Sequence, residues 1–443
     1  VAGSQTNWGV LLEPAGPGPK HEQLARALRQ AIREGSLDDG VAVPPSRQLA
    51  ADLGCSRWVV TQAYAQLVAE GYLAGRTGSA TRVRRVAGET GPKTPPTATP
   101  PPRYDLAPGL PDLRHFPRRA WAEAVCEVLT TAPHTDFGLP QPGGHPRLRR
   151  VLGDYLRRVR GAAPGTVLVC GGVTDGVTGV CRALVERGHT RLAVEDPGWT
   201  RLWRAAEGAG MAVEPVPVDG EGLDAGRIPA GVRAVLVTPA HQFPTGVVLS
   251  PRRRAALLRW ARDVDGLVLE DDYDAEFRYD RRPVGTVQGT DPGRVALFGS
   301  VSKTLSPALG LGWAVVPPQW TVGTRPPPVV DQLALAGFVE SGGYDRYLRS
   351  ARLRYRARRD RLVAALGPAR LSGVAAGLHL VLHLDQDAAA VVGRARTAGV
   401  KVTDLDGYRA APGEPALVLG YGNLADTGVE AAAALLREAM TTA

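Results

Sequence analysis

Val295-Ala296-Leu297-Phe298-Gly299-Ser300-Val301-Ser302-Lys303-Thr304-Leu305 reads as a buried strand that ends in a glycine, hydroxyl residues and a single lysine. The run Val295 to Phe298 has the length and side chains of a strand covered on both faces. A lysine just past such an end is placed to form an imine with an aldehyde cofactor, and the hydroxyls of Ser300 and Ser302 beside it suit a phosphate. Taken alone, Ser-x-Lys after a strand more often marks a surface lysine than a site. Here an earlier strand of the same type, Leu267-Val268-Leu269-Glu270, leads into Asp271 and Tyr273. Lys303 for the aldehyde, Asp271 for a pyridinium nitrogen and Tyr273 for a ring oxygen make up the set that pyridoxal phosphate needs.

Further short apolar runs lie at Val167-Leu168-Val169, Leu192-Ala193-Val194 and Ala234-Val235-Leu236-Val237, several of them separated by helix-length segments. This alternation from about Tyr104 onward predicts an α/β domain with a mostly parallel sheet covered on both faces, and sites in such sheets collect at strand ends. Val169 is followed by Cys170-Gly171-Gly172-Val173-Thr174-Asp175-Gly176, a glycine turn opening a helix. The free N–H groups there, at Val173 and Thr174, are candidates for the phosphate. Glu195-Asp196-Pro197-Gly198-Trp199 follows the next strand and puts an aromatic where it can stack on a pyridine ring, although a lone Trp in such a place more often belongs to the core. The turn Pro244-Thr245-Gly246 closes a further strand end.

The chain has 443 residues and a formal net charge of +9, enough for one large α/β fold plus a small module. No run approaches the ~20 apolar residues of a membrane span, and no basic-then-apolar leader pattern is present, so a cytoplasmic protein is expected. Cys55, Cys126, Cys170 and Cys181 are scattered, which argues against a metal cluster or a disulfide framework, and no metal site is assigned. The positive charge is compatible with nucleic acid but does not require it.

Residues 18–86 read as a separate module. Leu24, Leu28 and Ile32 recur at helical spacing; Pro44-Pro45-Ser46 starts a second helix with Ser46 as cap; Gly54 ends it; and Ser56 caps a third helix from Arg57 to about Glu70. Helix, tight glycine turn, helix is the spacing of a helix-turn-helix. Tyr72-Leu73 and Thr81-Arg82-Val83 bracket Gly75 to Ser79 as a β-hairpin wing. In the third helix Val60, Tyr64, Leu67 and Val68 are predicted to pack inward, leaving Trp58, Thr61 and Gln62 free to enter a major groove. Arg57 and Arg47 suit phosphates or guanine edges. Residues 87–103 then turn rich in Pro and Thr, the composition of a semi-extended linker, and 104–443 form the large domain.

The first module resembles the winged helix-turn-helix of GntR-type bacterial regulators. Val43-Pro44-Pro45-Ser46-Arg47-Gln48-Leu49-Ala50, Leu53-Gly54-Cys55-Ser56-Arg57 and Tyr64 to Leu73 carry the likeness. In that family the positions of Arg47, Arg57 and the wing residues Thr77 and Gly78 touch DNA. Pro45 and Trp58-Val59 depart from the usual residues. His241 to Gly246, Glu270-Asp271-Asp272-Tyr273-Asp274-Ala275-Glu276-Phe277-Arg278-Tyr279 and Gly299 to Pro307 extend the resemblance to MocR-type regulators, in which such a module is fused to a fold-type-I aminotransferase-like domain. The resemblance implies double-stranded DNA as partner, Lys303, Asp271, Tyr273 and Trp199 on pyridoxal phosphate, and Arg201 on a ligand carboxylate. It also implies a head-to-tail homodimer, and a small amine or the cofactor itself as effector.

Two departures stand out. Gly310 occupies the position, seven after the lysine, where the family usually has a phosphate-binding Arg. The segment Glu414 to Gly420 lacks the carboxylate-binding Arg of aminotransferases, Arg409 being the nearest. Three readings follow: a regulator that senses through the cofactor, with no catalytic residue assigned; a working aminotransferase with a DNA-binding appendage; and a cofactor-free regulator using the fold as a dimerisation scaffold.

Overall fold

The structure is a computed structural model and describes residues 17–75, 80–84, 101–279, 284–320 and 323–441. It separates into two compact units, Val1–Pro100 and Pro101–Ala443.

The first unit holds helices α1 (Lys20–Arg33), α2 (Ser46–Asp52) and α3 (Arg57–Ala69), and an antiparallel pair, β1 (Leu73–Ala74) and β2 (Arg82–Val83). The Ser56 hydroxyl accepts from the Val59 N–H at 3.4 Å and starts α3, while Gly54 turns the chain between α2 and α3 at φ +60°. The cap of α2 is Pro45 rather than Ser46. Proline presets an extended entry into a helix, and Ser46 becomes the first helical residue, its hydroxyl accepting from the Arg57 Nε at 3.3 Å. Leu24, Leu28, Ile32, Leu49, Val60, Tyr64 and Leu67 form one core. Val68 stays outside it, 42 % exposed. One residue advances a helix by about 100°, so Val68 is turned away from the face that Leu67 buries.

The second unit is built on an eight-stranded sheet. Its strands are β3 (Thr166–Cys170), β4 (Arg191–Asp196), β5 (Ala212–Asp219), β6 (Gly222–Leu223), β7 (Ala234–Val237), β8 (Leu267–Asp271), β9 (Val295–Ser300) and β10 (Gly312–Val316), in spatial order β3-β10-β9-β8-β7-β4-β5-β6. The run from β9 through β8, β7 and β4 to β5 is parallel. Strand β10 is antiparallel to both β9 and β3, so the sheet is mixed. The link from Val301 to Leu311 is too short to carry a crossover helix, so the chain turns straight back. Helices α4 (Val173–Glu186) and α5 (Thr200–Gly208) pack on one face around Leu192, Val194, Leu269 and Phe298. Helix α6 (Pro251–Asp263) covers the other through Leu257, Leu258 and Ala261, against Val235, Val237 and Val268. A second, antiparallel sheet pairs Leu371–Ser372, His379–His383, Ala416–Gly420 and Thr403–Asp404 in that order. Because β9 and β3 flank β10 and both oppose it, they point the same way, and their ends meet those of β8 and β4 on one side of the sheet.

Candidate functional site

At that side lies a cleft of about 470 Å³. Its lining includes Lys303, Asp271, Tyr273, Trp199, Val173, Thr174, Ser300, Ser302 and Arg201. These residues come from four different strand ends and lie up to 130 positions apart in the chain, and folding brings them to one cavity. Pro108, Gly109 and Leu110, Phe243, and Leu378 with His379 add to the wall, none of them assigned from sequence. Of these, only Phe243 lies in a stretch that motif reading had singled out.

The acidic run after β8 is sorted by direction. Asp271, its last residue, faces the cleft; it is buried and its Oδ1 has no hydrogen-bond partner. Burial first, then repulsion from Asp272, pushes its carboxyl up to about 8, against the attraction of Lys303. Asp272 turns the other way and holds Arg160 through two hydrogen bonds, Nε to Oδ2 at 2.7 Å and Nη2 to Oδ1 at 2.9 Å. Glu276 accepts from the Tyr155 hydroxyl at 3.1 Å. An orphaned buried carboxyl beside an amine is what a protonated pyridine nitrogen would satisfy.

Behind Tyr273 sits a pair of residues that sequence reading missed. His241 Nδ1 lies 3.0 Å from Asp274 Oδ2 and 3.0 Å from the Tyr273 hydroxyl. A carboxylate only accepts, so the His241 proton that faces Asp274 rests on Nδ1, and the phenolic O–H of Tyr273 lies within reach of the Asp274 carboxylate as well as of the cleft. Burial holds the Tyr273 phenol far above its ordinary range, so that proton stays on. Gly377 makes the arrangement possible: a Cβ there would stand 2.2 Å from His241 Cε1 and 2.4 Å from Asp274 Oδ2. His379 is held neutral by burial, and its Nε2–H donates to the Pro244 carbonyl at 3.0 Å. His241, Asp274 and His379 bring donor atoms within 4.8 Å of one another, but hydrogen bonds already engage Nδ1 of His241, the Asp274 carboxylate and Nε2 of His379.

Lys303 donates to the Gly109 carbonyl at 2.6 Å, with its Nζ 5.6 Å from the centre of the Trp199 ring. Burial lowers its ammonium pKa, opposed by Asp271 and Asp274 and aided by Arg201. That favours the neutral, nucleophilic amine. Trp199 is itself stacked on Tyr408, centroids 5.8 Å apart, and meets Phe243 edge-on. Arg201 is exposed at the cleft wall. Arg409 is engaged elsewhere, by Asp406 Oδ1 at 2.8 Å and the Glu414 carbonyl at 3.0 Å, and does not line the cleft.

At the other end, α4 starts at Val173 after Gly172, which at φ +140° has no side chain to cap the first N–H groups. Ser300 and Ser302 stand beside them. Gly310 adopts φ +56°, and a Cβ there meets nothing closer than the Gly171 carbonyl at 4.0 Å. Among the described lining residues Lys303 and Arg201 are the only cations. Amine, orphan carboxyl, cleft-lining phenol and uncapped helix start all fit pyridoxal phosphate, with a phosphate cradle made of neutral donors.

In the first unit Arg47, Arg57, Trp58, Thr61 and Gln62 are all exposed, opposite the buried Val60, Ala63, Tyr64 and Leu67. Thr77 and Gly78 lie outside the described residues.

Comparison with known proteins bears on both units. The model of "Bacterial regulatory proteins, gntR family" matches residues 20–83, and that of "Aminotransferase class I and II" matches residues 105–405. The chain is 33 % identical over 437 residues to the HTH-type pyridoxine biosynthesis transcriptional regulator PdxR of Corynebacterium glutamicum, covering 94 % of each chain. It is 34 % identical over 389 residues to the probable rhizopine catabolism regulatory protein MocR of Rhizobium meliloti, covering 80 % of this chain and 78 % of the other. Among solved structures, an archaeal alanine:glyoxylate aminotransferase superposes with a TM-score of 0.70 at 23 % identity, covering 76 % of this chain and 90 % of that one. At that identity the likeness shows the fold. No helix among the described residues is long and apolar enough to cross a membrane.

Proposed function

The chain belongs to the GntR/MocR family, in which a gntR-type module is joined to an aminotransferase class I and II body, and from that membership we propose a DNA-binding transcriptional regulator that senses through pyridoxal phosphate. The observation that carries the sensing half is the convergence of Lys303, the unpartnered Asp271 carboxyl and the Tyr273 phenol on one cleft. Pyridoxal phosphate, when bound, supplies an aldehyde that captures amines and a ring that withdraws electrons. In this reading Asp271 holds a proton at the ring nitrogen, Tyr273 donates to the ring oxygen, and Val173, Thr174, Ser300 and Ser302 hold the phosphate. Lys303 competes with an incoming amine, Trp199 covers the ring face and Arg201 orients a carboxylate. An effector, the cofactor itself or a small amine, shifts operator affinity only insofar as it binds one conformation better than another. Arg47, Arg57, Trp58, Thr61, Gln62 and the wing at Thr77 and Gly78 are assigned to the operator. A head-to-tail homodimer in the cytoplasm completes the proposal, with the dimer tested by light scattering.

The test is a spectrum of the purified protein with added pyridoxal phosphate, before and after borohydride, followed by mapping of the labelled lysine. A near-visible band that borohydride traps on Lys303, absent in Lys303→Ala, supports the reading; a protein that takes up no cofactor returns it to the scaffold alternative. Amino transfer from amino acids to a keto acid would favour the enzyme alternative, against which stands the commitment of Arg409 to Asp406 and Glu414.

A further inference from the structure

We propose that Trp58, braced by His21, reads a thymine methyl group in the major groove of the operator. The inference rests on the DNA-binding reading above and adds the base class that one side chain selects. Trp58 is the second residue of α3 and is 60 % exposed, on the face opposite the buried stripe. Its ring is not loose. His21, near the start of α1, meets it edge-on, with centroids 5.4 Å apart and planes at 73°. An indole held by a second helix gives up little side-chain freedom when it docks.

The surroundings name the partner. The first turn of α3 carries no acidic residue, and Glu70 beyond its far end is paired with Arg29 at 2.7 Å. Arg57 precedes Trp58 in α3 and Arg47 lies on α2, both exposed, and Thr61 and Gln62 continue the face of Trp58 one turn on. Thr61 Oγ1 donates to the Arg57 carbonyl at 2.9 Å, which leaves Trp58 the large apolar surface of that face. A basic surface with one apolar projection at the start of a recognition helix fits a polyanion whose groove displays one apolar group. The base edges of the major groove present donors, acceptors and a single methyl, that of thymine C5.

Deoxyuridine deletes only that methyl, which makes the test direct. The full-length protein is used to enrich duplexes from a randomised library, and each thymine of an enriched duplex is replaced in turn by deoxyuridine. Wild type should lose about fourfold in affinity at one position per half-site, the worth of one buried methyl. Trp58→Ala should bind the thymine and uracil duplexes equally, Trp58→Phe should keep part of the preference, and His21→Ala should weaken it without changing the salt dependence set by phosphate contacts. No discriminating position in wild type, or discrimination that survives in Trp58→Ala, overturns the inference and leaves DNA binding standing. If no duplex is enriched at all, the DNA-binding reading falls and this inference with it.

Discussion

Asp271→Asn should give the cofactor-free protein a stability advantage over wild type that grows as pH rises, although it removes a residue of the proposed cofactor site. Asp271 is buried, its Oδ1 lacks a partner, and its carboxyl is pushed up to about 8. An unfolded Asp titrates near 3.9. Between these values the folded chain holds a proton at Asp271 that the unfolded chain has released, so stability falls with pH, by about 1.4 kcal/mol per unit. The cost is absent below the unfolded value and complete above the folded one; at pH 7 it reaches an upper bound of about 4 kcal/mol. Asparagine keeps the shape and does not titrate. The advantage of Asp271→Asn over wild type should therefore grow from pH 5 to about 7.5 and level off above 8. At roughly 1.5 °C per kcal/mol for a body of this size, the gap in melting temperature should open by roughly 5 °C over that range. Glu195, Glu270 and Glu276, each raised to about 7 by burial, are common to both proteins and cancel to first order. Excess pyridoxal phosphate should narrow the gap, because a protonated ring nitrogen gives the carboxylate its missing partner. Thermal unfolding of cofactor-stripped protein across the pH series is the assay. Parallel curves for the two proteins would refute the reasoning.

Arg160→Ala leaves Asp272 buried without its two hydrogen bonds and should cost about 3–5 kcal/mol in urea unfolding, with much of it restored when Asp272→Asn is added. Gly377→Ala forces a Cβ to within 2.2 Å of His241 Cε1 at a φ of +67°, so it should destabilise the protein by roughly 2 kcal/mol or more and displace Tyr273, read as lost borohydride labelling of Lys303. Gly310→Arg enters open space beside the phosphate end; a new charge-assisted bond of about 1.5–3 kcal/mol should tighten pyridoxal phosphate by roughly tenfold to a hundredfold in an absorbance titration, while the left-handed backbone costs roughly 1 kcal/mol of folding stability in free and bound protein alike. Unchanged affinity would mean that the side chain does not reach the cradle.

Much of this protein is local and therefore legible in its sequence. The apolar runs at Ala234 to Val237 and Val295 to Phe298 became strands because four to six consecutive apolar residues bury only between two helical layers. Glycine and serine punctuation marked the helix pair through Gly54 and Ser56, whose roles depend on their own dihedrals and nearest N–H groups. Lys303, Asp271 and Ser300 stood out because each sits at or just past the end of such a run. Other features depended on long-range contact. Which acid of Asp271-Asp272 faces the cleft was decided by Arg160, 112 positions away from Asp272. His241 and Asp274 acquired a role only by meeting across 33 positions, and Gly109 reached Lys303 across 194. The same holds for the reversal of β10, set by a short return link, and for Val68, left outside by the faces its neighbours happened to cover. Periodicity and capping act over a few residues and leave their marks in the chain; the direction of a buried charge depends on what folding brings against it, and only the tertiary structure supplies that.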